Sequence, residues 1–284
     1  MNIPNKIGPF KRYLASPTTL KYGFYYCTKF KLPFHKEERY IRVWLPPNYD
    51  FENKNKRFPT IYFSDGQNLV DSYLSAYGEW KFDKVVNKLL KHDGVSCIAV
   101  GIDCPKIPRE RCNELNPPYP VRSIYARKEG PNHPFADKYI DYIRFNLKPL
   151  IDSLFYTKTD KENTGIGGSS MGGIMAFYAY MYAPETFGFS LSFSPAFFLY
   201  SKISWQKVMD KYDLNPEKQG KVYLYVGGKN FEEVFVKPTF NTFNFLRKRG
   251  FEHDQVRMKY VSNNEHNEKA WAEELYDALR FWLI

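Results

Sequence analysis

The sequence predicts an α/β protein: a doubly wound, mostly parallel sheet with antiparallel N-terminal strands and helices on both faces. Three observations carry this. Strand-like apolar runs alternate with helical periodicity from residue 58 onward. The run at 95–102 (VSCIAVGI) lacks the polar alternation of a half-exposed strand, as expected of a parallel strand covered on both sides. The first sixty residues instead alternate apolar and polar positions between short turns, as antiparallel strands do.

In chain order, 22–30 is an aromatic-rich strand, 40–45 a β-branched one, and 58–63 a compact apolar one. Asp65-Gly66-Gln67-Asn68 marks a loop, and Trp80, Val85, Leu89 and Leu90 mark an amphipathic helix over 80–91. After the strand at 95–102, residues 103–134 are rich in Pro and Arg and show no periodicity; so long a loop in a compact domain is expected to border an active site. Helical spacing returns over 135–156 through Tyr139, Ile143, Leu147 and Ile151. Then come a short strand at 164–168, a helix over Met171–Tyr182 stopped by Pro184, an alternating strand at 187–193 and a helix at 202–212. The chain closes with a strand at 221–226, a helix at 234–249 ended by Gly250, a strand at Val256–Val261 and a helix at 267–283.

With 284 residues the chain sits near the upper limit of a single core, so one domain over 1–284 is expected, with 1–57 supplying N-terminal strands of the same sheet. The 18% aromatic content excludes disorder. No apolar run approaches the roughly 18 residues of a spanning helix, and the N-terminus lacks an apolar signal core. A cytoplasmic protein without membrane association follows as the expectation. Cys27, Cys97, Cys104 and Cys112 show no C-x-x-C spacing, so free thiols and no metal site are expected. The net charge is +10, and residues 1–60 hold twelve Lys or Arg against Glu37, Glu38, Asp50 and Glu52. Such a cluster fits a nucleic-acid footprint, but lysines on a solvated sheet edge explain it better, and no nucleic-acid partner is expected. Oligomeric state leaves no trace in the sequence.

Ligands of open parallel sheets gather beyond the carboxyl ends of the strands. Gly168-x-Ser170-x-Gly172 stands at such a place, between a short strand and a helix, which is the context that gives G-x-S-x-G its meaning. Ser170 is the expected nucleophile; the alternative is a glycine-rich turn that packs a helix or binds phosphate. A serine hydroxyl needs a base. Of five histidines, His266 alone follows a strand by a short loop and precedes the last helix; His35, His92, His133 and His253 lie elsewhere. The third member should be a carboxylate after the strand at 221–226, with Glu232 first choice and Glu233 second, although acidic residues also favour a first helical turn for dipole reasons. The oxyanion donors expected are the backbone N–H groups of Met171 and Gln67.

DGQNLVD (65–71), GEW (78–80), GSSMGG (168–173), SPAFF (194–198) and HNEKAW (266–271) follow one another in this order, and from about residue 40 to the C-terminus the chain resembles the esterase family that includes esterase D, with enterochelin, feruloyl and acetyl-xylan esterases and S-formylglutathione hydrolases among its relatives. The resemblance implies an α/β-hydrolase fold, a Ser-His-acid mechanism on Ser170 and His266, and no cofactor. Its departure lies at 227–233: relatives often carry an acid two or three positions after the strand-ending glycine, where this chain has Asn230 and Phe231. The acid has moved to Glu232, or the site works as a dyad. The expected substrate is a small-molecule ester with a small acyl or aromatic group, such as a feruloyl or acetyl sugar ester or a siderophore-type ester. Trp80, Arg111, Arg122 and Phe197 are the expected substrate contacts, unless the loop arginines only pair with Glu110, Glu114 and Glu129. A thioesterase or acyltransferase would use the same residues, and a non-enzymatic polysaccharide or nucleic-acid binder is the remaining alternative.

Overall fold

The computed structural model describes residues 3–119 and 131–284. The chain divides into two compact units: Met1–Cys104 with Tyr142–Thr164 and Asn267–Ile284, and Pro105–Asp141 with Gly165–His266.

The first unit holds six strands, β1 (Lys6–Ile7), β2 (Phe10–Arg12), β3 (Phe24–Lys31), β4 (Glu38–Leu45), β5 (Thr60–Ser64) and β6 (Ile98–Ile102), in the order β1-β2-β3-β4-β6-β5. Pairing is antiparallel as far as β4–β6 and parallel for β5–β6, with Tyr26 opposite Val43 and Tyr62 opposite Val100. The antiparallel start expected from the sequence is present and is longer by β1 and β2, which are too short to show a period. β5 and β6 are buried at every position, as unbroken apolar strands should be. Helix α1 (Phe82–Asp93) covers one face of this sheet: Phe82 meets Trp44 and Phe63 edge-on. The opposite face is covered at Phe155, whose ring meets Phe10. Lys6 and Lys11 sit exposed on the outer strands, a deterrent to edge pairing. Arg42 differs: it is buried and forms a two-pronged ion pair with Asp103, at 2.6 and 2.7 Å.

Two departures from the expected elements have local causes. The segment 103–134 is not wholly irregular: α2 (Pro108–Leu115) lies within it, opened by a proline whose missing N–H costs nothing in a first turn. Proline and arginine content masked its short apolar face. The helix expected over 135–156 is realised as α3 (Ala136–Tyr142), a π turn at Ile143–Leu147 and α4 (Lys148–Leu154). Pro149 has no N–H for the carbonyl of Phe145, and Lys148 N–H reaches back to Ile143 instead, which widens the turn.

The second unit is built on four parallel strands in sequential order: β7 (Thr164–Ser169), β8 (Phe189–Phe193), β9 (Lys221–Gly227) and β10 (Val256–Val261). Helices α5 (Met171–Tyr182), α6 (Lys202–Met209) and α7 (Glu233–Lys248) connect them. β8 reads as alternating, FSLSF, yet is buried throughout, because Ser190 and Ser192 hydrogen-bond each other at 3.0 Å and so can face the interior. β10 carries Arg257 and Lys259 and is the most exposed of the four, as an edge strand should be. The final helix, α8 (Glu268–Leu283), belongs to the first unit and lies on α1, with Tyr276 and Arg280 both donating to Asp93. Among the described residues no helix is long and apolar enough to cross a membrane.

Candidate active site

Each strand of the second unit ends in a residue with chemistry to offer: Ser170 after β7, Ser194 after β8, Glu232 after β9 and His266 after β10.

Ser170 occupies the one-residue turn between β7 and α5 with φ 58° and ψ −117°, a backbone state that L-residues rarely adopt and that costs on the order of 1–3 kcal/mol. The surroundings hold it there. Ser170 N–H donates to the Phe193 carbonyl at 2.9 Å, and Ala196 N–H donates to the Ser170 carbonyl at 3.0 Å. Gly173 makes the crowding affordable: a Cβ there would stand 2.7 Å from the Phe193 oxygen. The closest demand for glycine thus falls one position beyond the G-x-S-x-G frame. Met171 is the first residue of α5, so its N–H has no intrahelical acceptor and stands at the positive end of the helix. Its sulfur accepts from Asn116 Nδ2 at 3.0 Å, which brings the segment after α2 to the side of the turn that holds Ser170.

Glu232 reaches His266 by an extra 3₁₀ turn, Asn230–Glu232, entered through Asn230 at φ 58°. This turn explains the late position of the carboxylate: it stands five residues past the strand-ending Gly227 and is carried back over it. A Cβ on Gly227 would meet the Asn264 carbonyl at 2.4 Å and Glu232 Cγ at 3.1 Å, so only glycine lets the two loops approach. The loop before His266 is fastened to the same place. Gly228 and Lys229 N–H both donate to the Asn264 carbonyl, and Glu265 accepts from Asn230 and pairs with Lys229 Nζ at 2.7 Å.

Glu232 is fully buried, at 0% exposure, and its Oε1 lies 3.3 Å from His266 Nδ1. The same oxygen accepts a short hydrogen bond from Ser194 Oγ. Among the described residues Oε2 has no hydrogen-bond partner. Glu233, by contrast, is exposed at the start of α7. The imidazole of His266 stacks on Phe235 with centroids 4.5 Å apart and 28° between planes, and Phe231 meets it edge-on at 5.4 Å. Phe231 is 54% exposed and also touches Phe198, so an aromatic surface opens beside the imidazole.

The remaining expected residues are placed as follows. Gln67 and Trp80 belong to the first unit. Gln67 lies in the turn Gly66–Asn68, its amide group exchanging hydrogen bonds with Cys104 Sγ and N–H, and Asp65 before it adopts φ 56°. Trp80 packs between Phe63 and Trp271 at 3% exposure and offers a ligand little surface. Phe197, at 1%, packs on Phe177 and Trp205 in the core; its neighbour Phe198 is the one beside Phe231. Arg111 is half-buried on α2, and Arg122 lies outside the described residues. Ser194 and Phe235 were not foreseen. Ser194 carried a signal, its place directly after a parallel strand; Phe235 read as one more apolar position of a helix.

The family model described as "Putative esterase" matches residues 34–282. The protein YbbA of Bacillus subtilis (strain 168) is 23% identical over 274 residues, covering 90% of this chain and 96% of that one. Among solved structures, an IroE-like serine hydrolase from Shewanella oneidensis superposes with a TM-score of 0.68 at 17% identity, over 90% of this chain and 79% of that chain. The siderophore hydrolase EstB from Aspergillus nidulans does so at 0.64 and 16%, over 93% and 95%. At these identities the likeness establishes the fold, that of the α/β-hydrolases.

Proposed function

The chain belongs to the Putative esterase family and is a carboxylic ester hydrolase, and from that premise we propose that it works by a serine acyl-enzyme mechanism with Ser170 as nucleophile, His266 as base and Glu232 as acid. One observation carries the assignment above the others: the buried Glu232 carboxylate lies 3.3 Å from His266 Nδ1, and the two follow adjacent parallel strands, β9 and β10, of the set in which Ser170 follows β7.

The chemistry follows from the roles. His266 Nε2 takes the Ser170 proton as Oγ attacks the ester carbonyl, and Glu232, 3.3 Å from Nδ1, offsets the charge of the imidazolium. The tetrahedral oxyanion is stabilised by Met171 N–H at the start of α5. His266 returns the proton to the departing alkoxide, and water then releases the acid from Ser170 by the same steps in reverse.

The substrate in this reading is a small-molecule ester with a small acyl or aromatic group. Phe198 and Phe231, half-exposed and exposed beside His266, support it, as does the likeness to a siderophore hydrolase. The family match runs across both units and supports one catalytic domain. Replacing Ser170 with Ala tests the mechanism: folded variant protein should lose hydrolysis of a short p-nitrophenyl ester and labelling by a fluorophosphonate, and retained turnover would refute it.

A further inference from the structure

Granted Glu232 as the acid of the triad, we propose that Ser194 is a positioning residue for it, fixing the carboxylate that faces His266. A carboxylate at 0% exposure needs donors to remain an anion there. Ser194 Oγ donates to Oε1, the oxygen that faces His266 Nδ1, while Oε2 has no hydrogen-bond partner among the described residues. The hydroxyl therefore fixes which oxygen meets the imidazole.

The backbone around Ser194 adds a second reason. Ser194 adopts φ 43°, an unfavourable state for a residue with a Cβ, and its N–H donates to the Tyr225 carbonyl of β9 at 2.7 Å. The flanking residues of the same turn hold the nucleophile: the Phe193 carbonyl accepts from Ser170 N–H and Ala196 N–H donates to the Ser170 carbonyl. One turn after β8 thus braces Ser170 through the backbone on one side and Glu232 through a side chain on the other. A serine kept in a strained backbone state, where glycine would fit without cost, points to its hydroxyl as the reason.

The electrostatic consequence has a definite sign. A hydrogen bond donated to a carboxylate favours the charged form. It favours the neutral-imidazole, anionic-carboxylate state more than the state in which the imidazolium already offsets that charge. Removing it should make the pair hold its proton more tightly, so the acid limb of the kcat/KM profile moves to higher pH.

The test compares Ser194→Gly and Ser194→Ala with the unaltered enzyme on a short p-nitrophenyl ester across pH, with thermal unfolding measured for each. Ser194→Gly relieves the positive φ and removes the same hydroxyl, so folding failure of the alanine variant leaves the question answerable. The expected result is a fall in kcat of about tenfold, the size of one hydrogen bond to a charged group, with KM nearly unchanged and the acid limb displaced upward. In a Glu232→Gln background the same substitutions should neither lower kcat further nor move the profile. Folded Ser194 variants with unaltered kcat and profile would overturn the role of Ser194 while leaving the triad intact. Unaltered kinetics of Glu232→Gln itself would instead overturn the acid assignment on which Ser194 depends.

Discussion

The imidazole of His266 lies flat against the ring of Phe235, 4.5 Å between centroids, on the first turns of the helix that Glu232 leads into. Stacking on one face and the carboxylate near Nδ1 together leave the ring little freedom to rotate, which is what the base of the proposed mechanism requires. Phe235→Leu keeps apolar bulk but removes the flat surface. With an aromatic pair contributing about 0.5–1.5 kcal/mol beyond burial, kcat for a p-nitrophenyl ester should fall about three- to tenfold with little change in KM. An unaltered kcat in folded Phe235→Leu would mean that the ring is held by Glu232 alone.

Glu232 and Glu233 are neighbours in sequence with opposite fates, one buried at 3.3 Å from His266 and one exposed on α7. Glu232→Gln should lower kcat by a thousandfold or more, on the order of losing the acid of a serine triad. Glu233→Gln should stay within about twofold of the unaltered enzyme. Steady-state kinetics of the two variants side by side decide the matter, and equal losses would contradict the assignment.

Strain at Ser170 predicts a stability gain bought with activity. Glycine accepts φ 58° without cost, whereas alanine keeps the Cβ that makes it unfavourable. Both Ser170→Gly and Ser170→Ala should be inactive, yet Ser170→Gly should unfold at a Tm a few degrees higher, for a difference of about 1 kcal/mol. Gly173→Ala should act in the opposite sense. Its Cβ would meet the Phe193 carbonyl at 2.7 Å, costing about 1–3 kcal/mol, and because that carbonyl also accepts from Ser170 N–H, kcat/KM should fall with stability. Calorimetry and ester turnover on the same preparations check both.

The strand-helix alternation of the second unit was legible because β7 to β10 are sequential and parallel, so each period change in the sequence marks one element. The place of Ser170 and His266 in the fold was legible for a related reason: a short loop beyond a parallel strand must lie at the sheet's carboxyl edge. Glu232 was only half legible, since the turn through Asn230 at φ 58° decides which of two adjacent glutamates faces inward, and no periodicity records that. Trp80 and Phe197 show the limit from the other side. Sequence position set them near loops, but aromatic side chains are large enough to turn back into the core, where Phe63 and Trp271 cover the one and Phe177 and Trp205 the other.

Asp71, the last residue of the DGQNLVD segment, has a role remote from catalysis. It accepts hydrogen bonds from Tyr13 and Thr18 hydroxyls, from Thr19 N–H and from Tyr73 N–H, and so ties residues 13–19 to the loop after β5. Burial alone would raise its pKa; the donors, Thr18 and Thr19 foremost, outweigh burial and hold the carboxyl below the usual range. A carboxyl whose folded-state pKa is depressed binds protons more weakly folded than unfolded, so its contribution is present in full above the ordinary carboxylate range and lost as pH falls below it through the folded-state pKa. Asp71→Asn should therefore destabilise the protein by about 2 kcal/mol near neutrality, the scale of hydrogen bonds to a charged group. The gap between variant and unaltered protein should close as the pH drops below the carboxylate range. Urea unfolding at a series of pH values checks the sign, and a gap that stayed constant into acid would show that Asp71 acts through packing rather than through its charge.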